Sequence, residues 1–335
     1  MRREFKLVYP ATPVGWYENA HGIIATASIL NILFPMPVYN NDKQRFEVKT
    51  SSAMETTHRY YDLRKRIKEI KPDAIISDGD IHALRLANRW HFPSIYITNL
   101  IRPSIGFSAF LNPGERFTER YVKNCTKIII PDNPPPFTVS EYNIGDPADI
   151  GIEGKTEFVG TFIETTPVKG SETQIFVPIS GPFGTRAKLT NMIIPALQEL
   201  DVKSVVSLGV VGERKTLKTQ NLTIRTWLST QERQETMRNA KIVVISGGHG
   251  TCFETVKYGK PTVCVPTQPE QLANGMKLQN LGCSVVARNK QQFKQALRRV
   301  EAEISHFRSC AERLNTISNK QNGLKRAVEI VESLA

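Results

Sequence analysis

Short apolar segments alternate with amphipathic helical segments along the whole chain, and this alternation limits the possible folds more than any other feature. In the first half, the apolar segments lie at Phe5–Val8, Ala74–Ser77, Ser94–Thr98 and Lys127–Ile130. A helix between two consecutive strands returns the chain so that the strands run in the same direction. The alternation therefore predicts an α/β fold, built from βαβ units around a mostly parallel sheet.

The intervening segments of the first half have the residue spacing of amphipathic helices. They lie at His21–Leu33, Met54–Ile70, Ile81–Trp90 and Gly114–Lys123. Pro72 and Pro93 each precede a strand segment, at a point where the preceding helix has to have ended. The proline-rich run from Pro131 to Pro136 and the stretch from Gly145 to Gly154 predict irregular structure.

The second half repeats the alternation. Its strand segments are Ile175–Ile179, Ser204–Ser207, Leu222–Arg225, Ile242–Ile245, Thr262–Val265 and Ser284–Val286. Its helical segments are Leu189–Glu199, Gln231–Asn239, Phe253–Tyr258 and Leu272–Leu281, with two helices expected after the last strand. Two doubly wound domains in tandem generally bind ligands in the cleft between them, at the carboxyl ends of their strands.

The length of 335 residues is enough for two domains that each bury a core. We interpret Gly160 to Thr173 as the linker, with domains at 1–165 and 166–321. Charge is divided unevenly, because residues 1–170 carry 21 Lys and Arg against 19 Asp and Glu, whereas residues 171–335 carry 23 against 13. The second half is thus expected to bind anions, and phosphate ligands, anionic lipid and nucleic acid all fit that charge.

The sequence indicates no secretory leader and no membrane-spanning helix. The apolar stretch that follows the first charged residues ends at Pro10, and the run from Gly22 to Val38 is interrupted by prolines. The five cysteines are odd in number and have no two-residue spacing, which predicts neither a zinc knuckle nor a disulfide framework. A cytoplasmic location is the expectation.

The sharpest local signal is a Gly-rich loop, Ser246-Gly247-Gly248-His249-Gly250-Thr251, which follows the strand segment Ile242–Ile245 and precedes a helix. Glycines let the backbone approach a ligand closely, and the amide groups at a helix start suit a phosphate. The glycine spacing is that of neither the dinucleotide fingerprint nor the Walker loop. The alternative is a tight strand-to-helix connection without a ligand.

An ordered set of features continues downstream of the loop. It comprises Thr251 three residues before Glu254, the turn Gly259-Lys260-Pro261, the strand segment Thr262–Val265 ending at a proline, and Gln271 three residues before Asn274. From Ser246 to Gly282 the chain resembles the donor-nucleotide signature of GT-B glycosyltransferases, especially family 28, which includes the enzyme that adds N-acetylglucosamine to a lipid-linked peptidoglycan precursor. This resemblance implies two Rossmann-like domains facing a central cleft.

The resemblance also implies roles for single residues. Glu254 would accept the ribose hydroxyls of the nucleotide as a bidentate pair, and Glu270 and Gln271, on the helix start that includes Asn274, would contact the donor sugar. Thr251 and the loop amides would hold the diphosphate. His249 has no obligatory role in the family, and in plant-type relatives the phosphate-binding histidine falls at Ser246.

The alternative for Glu254 is a carboxylate at a helix N-terminus that opposes the macrodipole.

Two more segments resemble the family. The turn after the first strand of the second domain contains Gly181, Gly184, Thr185 and Arg186, and is similar to the Gly-Ser-x-Gly-Ala-Arg turn that lines the diphosphate. Trp227 falls where related plant enzymes stack a tryptophan on uracil. The alternatives are a simple turn with a solvated Arg186, and a tryptophan packed in the domain core.

In the first domain, His21 opens the helix segment after the first strand, where the family places a histidine that faces the cleft. Its imidazole would take the proton from the attacking acceptor hydroxyl. Asp78 would orient His21 or an acceptor hydroxyl. The alternative is a histidine satisfied by backbone or solvent.

The sequence Asp78-Gly79-Asp80 also has the two carboxylates of a Mn²⁺ or Mg²⁺ site. We favour Asp80 as the N-cap of the helix Ile81–Trp90, and expect no metal site and no further cofactor.

The segment Ile101–Phe117 combines Phe107, Phe110, Leu111 and Phe117 with flanking Arg102 and Arg116. Apolar side chains beside cations are typical of shallow membrane docking, and a loop that packs its own aromatics is the alternative. The basic stretch from Lys290 to Arg313 is interpreted as a solvated helix face, so no nucleic-acid partner is expected. The resemblance further implies that the last helix, Gly323–Leu334 within residues 322–335, crosses back onto the first domain.

The resulting expectation is a metal-independent, inverting glycosyltransferase that moves a sugar from a nucleotide-diphosphate donor, first of all a UDP sugar, to a hydroxyl or phosphate acceptor. The family suggests a lipid-linked acceptor at the inner face of the membrane. The alternatives are a nucleotide-sugar 2-epimerase or hydrolase of the same fold, although Thr267-Gln268-Pro269-Glu270 lacks the arginine of the epimerase motif, and a non-catalytic nucleotide-sugar-binding subunit.

Overall fold

The computed structural model describes residues 36–40, 45–49, 52–105, 118–165, 174–181, 183–210 and 214–334. The segments Phe5–Val8 and His21–Leu33 lie outside these residues, as does the start of Gly114–Lys123. The described residues form an antiparallel hairpin, β1 (Met36–Asn40) with β2 (Arg45–Lys49), and two larger sheets.

Among the described residues, the first sheet contains four strands in chain order, all parallel. They are β3 (Ile75–Asp78), β4 (Ser94–Ile97), β5 (Lys127–Ile130) and β6 (Thr156–Phe158). The described helices of this domain are α1 (Ser52–Ile70), α2 (Ile81–Trp90), α3 (Glu141–Ile144) and α4 (Pro147–Ile150), with further helical residues at 118–123 and a 3₁₀ turn at Glu153–Lys155. Tyr60 and Leu63 of α1 pack against Leu86 of α2, as the spacing of apolar residues predicts.

The second sheet, as far as the structure describes it, contains seven strands, of which six are parallel. In chain order the strands are β7 (Gln174–Pro178), β8 (Ser204–Ser207), β9 (Thr216–Lys218), β10 (Leu222–Arg225), β11 (Ala240–Ile245), β12 (Thr262–Cys264) and β13 (Ser284–Val286). They lie side by side as β13-β12-β11-β7-β8-β10-β9. Without the antiparallel edge strand β9, this is the strand order of the Rossmann fold, in which the winding direction reverses between β7 and β11.

Helices cover both faces of the second sheet. They are α5 (Phe183–Leu200), α6 (Thr230–Arg238), α7 (His249–Lys257), α8 (Pro269–Asn280), α9 (Lys290–Ala302) and α10 (Ile304–Asn319). Alternate residues of each strand face opposite layers, so Ile175 and Val177 pack with Ile193 on one side, whereas Phe176 packs with Phe253 on the other. The predicted α/β fold with parallel sheets is confirmed.

The last helix, α11 (Gly323–Glu332), packs on the first domain. Its Ala327 and Ile330 contact Ile95 and Ile129 of the first sheet. The chain crosses between the domains near Gly160 and again near Gly323, and the two crossings are in contact. A Cβ on Gly323 would lie 2.2 Å from the carbonyl oxygen of Gly160. Only glycine fits at that contact.

Several element boundaries differ from the sequence-based expectation. The region after β13 holds three helices rather than two, because α9 and α10 are separated by the single residue Glu303, and no glycine or proline marks that break. Helix α5 begins at Phe183 rather than Leu189, and the stretch from Gly145 to Gly154, expected to be irregular, contains α4 and the 3₁₀ turn.

Among the described residues, no helix has the length and apolarity needed to cross a bilayer. All five cysteines are unpaired.

Candidate functional site

The Gly-rich loop leaves β11 at the point where the winding of the second sheet reverses. Helix α7 begins at His249 with Gly248 as its N-cap, and the first intrahelical hydrogen bond runs from the Cys252 amide to the Gly248 carbonyl. The amides of the three residues before Cys252 therefore have no acceptor within the helix. A helix start of this kind at the carboxyl edge of a parallel sheet is typical of anion-binding sites.

Gly247 has to be glycine. Its φ is +91°, and a Cβ would lie 2.3 Å from the Gln271 carbonyl oxygen. The loop is held down by Asn274 of α8, whose Nδ2 donates to the Gly247 carbonyl oxygen at 2.8 Å. The close approach of α8 thus fixes the path of the loop.

The loop is also connected to the first domain. Asn143 of α3, which has no exposed surface, donates through Nδ2 to the Asn274 Oδ1 at 2.8 Å and to the Glu270 carbonyl oxygen at 3.1 Å. Asn274 has no exposed surface either, so its position favours holding the loop in place over direct contact with a ligand. At the rim of this contact, Lys277 forms an ion pair with Glu141. We call the pair Asn143 and Asn274 the asparagine bridge.

His249 and Glu270 contact each other next to the loop. The His249 Nδ1 lies 2.8 Å from the Glu270 Oε1, and the opposite ring nitrogen, Nε2, is buried without a partner among the described residues. Glu270 was predicted to contact the donor sugar, and here its carboxylate is also engaged by the imidazole. Gln271, predicted for the same role, accepts through Oε1 from the amide and the hydroxyl of Thr267, both at 2.9 Å.

Ser246 and Thr251 frame the loop and are both buried. Gly250 is the second residue of α7, and a Cβ there would meet no heavy atom within 4 Å.

Glu254 lies in the second turn of α7, facing α6. Arg233 of α6 donates hydrogen bonds to its carboxylate. The Arg233 Nε lies 3.0 Å from the Glu254 Oε1 and 3.1 Å from its Oε2, and the Arg233 Nη2 donates to Oε2. The first turn of α7 contains no acidic residue, so the interpretation of Glu254 as a helix N-terminal carboxylate is wrong.

The turn after β7 lies beside the Gly-rich loop. Gly181 has a φ of +104° and precedes α5, which contains Gly184, Thr185 and Arg186. Arg186 donates from Nη1 to the Gly209 carbonyl oxygen at 2.6 Å, and its Nε is buried without a partner in the described residues. Arg186 is thus half-buried and is held at the edge of the sheet by this hydrogen bond.

Trp227 follows β10 and precedes α6 on the same edge of the sheet. It is 37% exposed and belongs to neither core of the second domain, which excludes the interpretation as a core aromatic. The described second-domain residues of the predicted site, from Gly181 to Asn274, therefore gather at the carboxyl ends of β7, β10, β11 and β12 or directly beneath the loop.

The structure describes only some of the site residues predicted in the first domain. His21 lies outside the described residues. Asp78 ends β3, and partial desolvation raises the pKa of its carboxyl group. Asp80 accepts from the His82 and Ala83 amides and pairs with Arg59 at 2.6 Å, which confirms the N-cap and leaves neither of its oxygens unpaired for a metal ion.

Residues 106–117 of the predicted membrane-docking segment also lie outside the described residues. Its flanking Arg102 donates from Nε to Glu119 at 2.8 Å.

Sequence reasoning missed two residues of this site, Arg233 and Asn143. Arg233 lies on a helix that was predicted, but its partner Glu254 is 21 residues away on another helix. Asn143 follows the proline-rich run in the first domain and reaches a helix 131 residues further along the chain. Neither contact could be predicted from a local sequence pattern, because the partners lie far apart in the chain.

Comparisons with known proteins identify similar sequences and folds. Residues 199–333 match the glycosyltransferase family 28 C-terminal domain. An uncharacterized glycosyltransferase of Methanosarcina acetivorans is 23% identical over 81% of this chain and 75% of its own length.

Two solved structures share the fold at 16% sequence identity and a TM-score of 0.62. The glycotransferase of kitacinnamycin is matched over 84% of this chain and 81% of its own, and spinosyn rhamnosyltransferase SpnG, complexed with thymidine diphosphate, over 84% and 78%.

Proposed function

We propose that this chain, a family-28-like glycosyltransferase with the GT-B fold, transfers a sugar from a nucleoside diphosphate donor to a hydroxyl or phosphate oxygen of an acceptor. The observation that carries the proposal is the Gly-rich loop at the reversal of the second sheet, with the start of α7 at the carboxyl edge. Amide groups at such a helix start stabilise the negative charge that develops on a departing diphosphate.

Each second-domain residue of the site is assigned to a different part of the donor. Trp227, exposed at the end of β10, offers a flat apolar surface to the base. Glu254 lies between the base and the loop and binds the ribose. The amides of the loop and Arg186 face the diphosphate, while Glu270 and Gln271 at the start of α8 meet the donor sugar.

The donor base is proposed to be uracil, because the family resemblance assigns Trp227 to the position of a uracil-stacking tryptophan. Thymidine diphosphate, found in the similar structure of spinosyn rhamnosyltransferase, makes TDP sugars the second candidate. On the family resemblance, we propose a lipid-linked acceptor.

At the anomeric carbon the transfer forms one C–O bond and breaks one, and a hydroxyl acceptor also gives up its proton. The acceptor oxygen bonds to the anomeric carbon as that carbon releases the diphosphate oxygen, and the acceptor proton passes to His21. Direct attack opposite the leaving group inverts the anomeric centre. We propose that no divalent cation is required, since the loop amides and Arg186 supply the positive potential at the diphosphate.

The proposal is tested by measuring UDP and TDP release from panels of UDP and TDP sugars, with and without an extracted lipid acceptor, before and after treatment with EDTA. We expect release that depends on the acceptor, survives EDTA and falls by about 100-fold in His21→Ala, while nucleotide affinity stays the same. Free or epimerised sugar formed without an acceptor would instead support the hydrolase or epimerase. Nucleotide binding without any turnover would identify a binding subunit and contradict the proposal.

A further inference from the structure

The side chain of His249 is held by two contacts at the start of α7. Its Nδ1 lies 2.8 Å from the Glu270 Oε1, and its ring centroid lies 6.0 Å from that of Phe253, one turn further along the same helix. Phe253 is 5% exposed and belongs to a core of the second domain. A buried aromatic ring and a carboxylate of α8 thus restrict the position and the orientation of the imidazole.

Neither ring nitrogen of His249 is available to a phosphate group. Nδ1 contacts Glu270, and because an ionised carboxylate only accepts hydrogen bonds, Nδ1 has to carry the proton. Nε2 is buried and has no partner among the described residues. A histidine side chain that binds a diphosphate needs an N–H that the ligand can reach. The imidazole of His249 therefore acts within the protein, on Glu270.

Glu270 is fixed at both its main chain and its side chain. It is the second residue of α8, and its carbonyl oxygen accepts from the Asn143 Nδ2 at 3.1 Å, while its Oε1 contacts His249. Its side chain is 20% exposed, so a ligand can reach it. The side chain of a glutamate can rotate about three bonds, and ordering these bonds only when a ligand binds reduces affinity. The contact with His249 orders the carboxylate beforehand.

We infer that His249 is a positioning residue, whose imidazole orients the Glu270 carboxylate toward the donor sugar and does not contact the diphosphate. The inference rests on the proposed function, in which Glu270 meets the donor sugar, and deepens it by giving His249 a part in sugar recognition. The family resemblance gives His249 no obligatory role, whereas the structure pairs it with Glu270.

This role separates recognition of the sugar from recognition of the nucleotide. The base, the ribose and the diphosphate are proposed to bind other groups, and the imidazole of His249 is not one of them. Loss of the imidazole should therefore weaken the binding of a nucleotide that carries a sugar and leave the binding of the free diphosphate unchanged. A histidine that only stabilised the Gly-rich loop would change both affinities by the same factor.

The test is a calorimetric titration of the full chain with UDP and TDP, and with UDP-glucose, UDP-N-acetylglucosamine and TDP-glucose. In His249→Leu, which keeps an apolar side chain but lacks Nδ1, the dissociation constant of the free diphosphate should stay within about threefold of the wild-type value. That of the sugar nucleotide which the wild type binds most tightly should rise about tenfold, because a charge-assisted hydrogen bond that orders the carboxylate is lost. If the leucine variant does not fold, His249→Ala takes its place.

His249→Asn is the conservative variant, because its Nδ2 is attached to Cγ as the imidazole Nδ1 is, and can donate to Glu270. It should bind the sugar nucleotide within about threefold of the wild type. His306→Leu is the matched control. His306 also packs against a phenylalanine, with 5.5 Å between its ring centroid and that of Phe307, but it lies on α10. Its replacement should change neither affinity.

The inference is overturned if His249→Leu weakens both kinds of ligand equally or leaves the sugar nucleotide unaffected, and also if His249→Asn binds as the leucine variant does. A wild type that binds a free diphosphate but none of the sugar nucleotides overturns it as well, because Glu270 then meets no sugar. If no diphosphate binds to the wild type, the proposed function itself fails, which is a distinguishable result.

Discussion

The polar residues of the candidate site form hydrogen bonds and ion pairs with one another. Glu254 could be picked out from the sequence because its offset from Thr251 belongs to a local motif. Its partner Arg233 could not, because their contact depends on how α6 and α7 pack on the sheet. Local spacing thus predicts which residue types face a site, whereas the hydrogen bonds that restrict them arise from the tertiary structure.

Gly247 gives the first prediction at this scale. Gly247→Ala should lower the free energy of unfolding by about 2–4 kcal/mol, because a Cβ would collide with the Gln271 carbonyl and the φ of +91° is strained for alanine. Urea denaturation measures the loss. Nucleotide affinity should fall as well, since the loop has to move away from α8.

Gly250→Ala is the control for stability. It lies three residues further on, in the first turn of α7, where a Cβ meets nothing within 4 Å. Its free energy of unfolding should match that of the wild type or exceed it. Equal losses in the two variants would mean that the close approach of α8 to Gly247 is not what the loop requires.

Among the elements, those with strong periodicity could be predicted closely from the sequence. The bounds of β5, β8, β10, β13 and α2 agree with the expectation to the residue. The hairpin of β1 and β2 and the edge strand β9 were missed, because short strands in polar surroundings carry little apolar alternation. The start of α5 was missed because Gly184 and Thr185 resemble turn residues.

Helix α3 contacts helix α8 of the second domain through the asparagine bridge. Asn143→Ala should destabilise the chain by about 1–3 kcal/mol, since it leaves the Oδ1 of fully buried Asn274 without its donor. Because Asn274 holds the Gly247 carbonyl, nucleotide affinity should fall too. Thermal unfolding and calorimetry measure the two effects.

Asn280→Ala is the matched control for the bridge. Asn280 donates to the Tyr142 hydroxyl at 2.7 Å across the same helix contact, but at its exposed rim. Its removal should cost less than about 0.5 kcal/mol. A result in which Asn143→Ala and Asn280→Ala behave alike would rule out a special role for the buried bridge.

Helix α11 gives the second prediction at this scale. Ile330→Ala should cost about 2–4 kcal/mol, because Ile330 is 4% exposed and packs on Ile95 and Ile129 of the first sheet. Val328→Ala, in the same helix, should cost little because Val328 is 48% exposed. Chemical denaturation measures the free energy of unfolding of both variants. A larger loss in Val328→Ala than in Ile330→Ala would contradict the packing of α11 on the first sheet.

At the scale of the whole molecule, the sequence predicted two α/β units and assigned the positive charge to the second. The structure shows that part of this charge is structural. Lys257 and Lys260 donate to main-chain carbonyl oxygens of Ser318 and Arg238, and burial lowers the pKa of Lys257. The contact between α3 and α8 could not be predicted, since nothing in either segment encodes a partner in the other domain.

The central claim is that the carboxyl edge of the second sheet binds a nucleoside diphosphate, with Glu254 on the ribose. The most direct test is calorimetric titration of UDP, GDP, TDP, CDP and ADP into the wild type and Glu254→Ala. We predict micromolar binding of UDP or TDP by the wild type, and affinity weaker by about 10–100-fold in the variant. The claim is contradicted if no diphosphate binds to the wild type, or if Glu254→Ala binds as tightly as the wild type does.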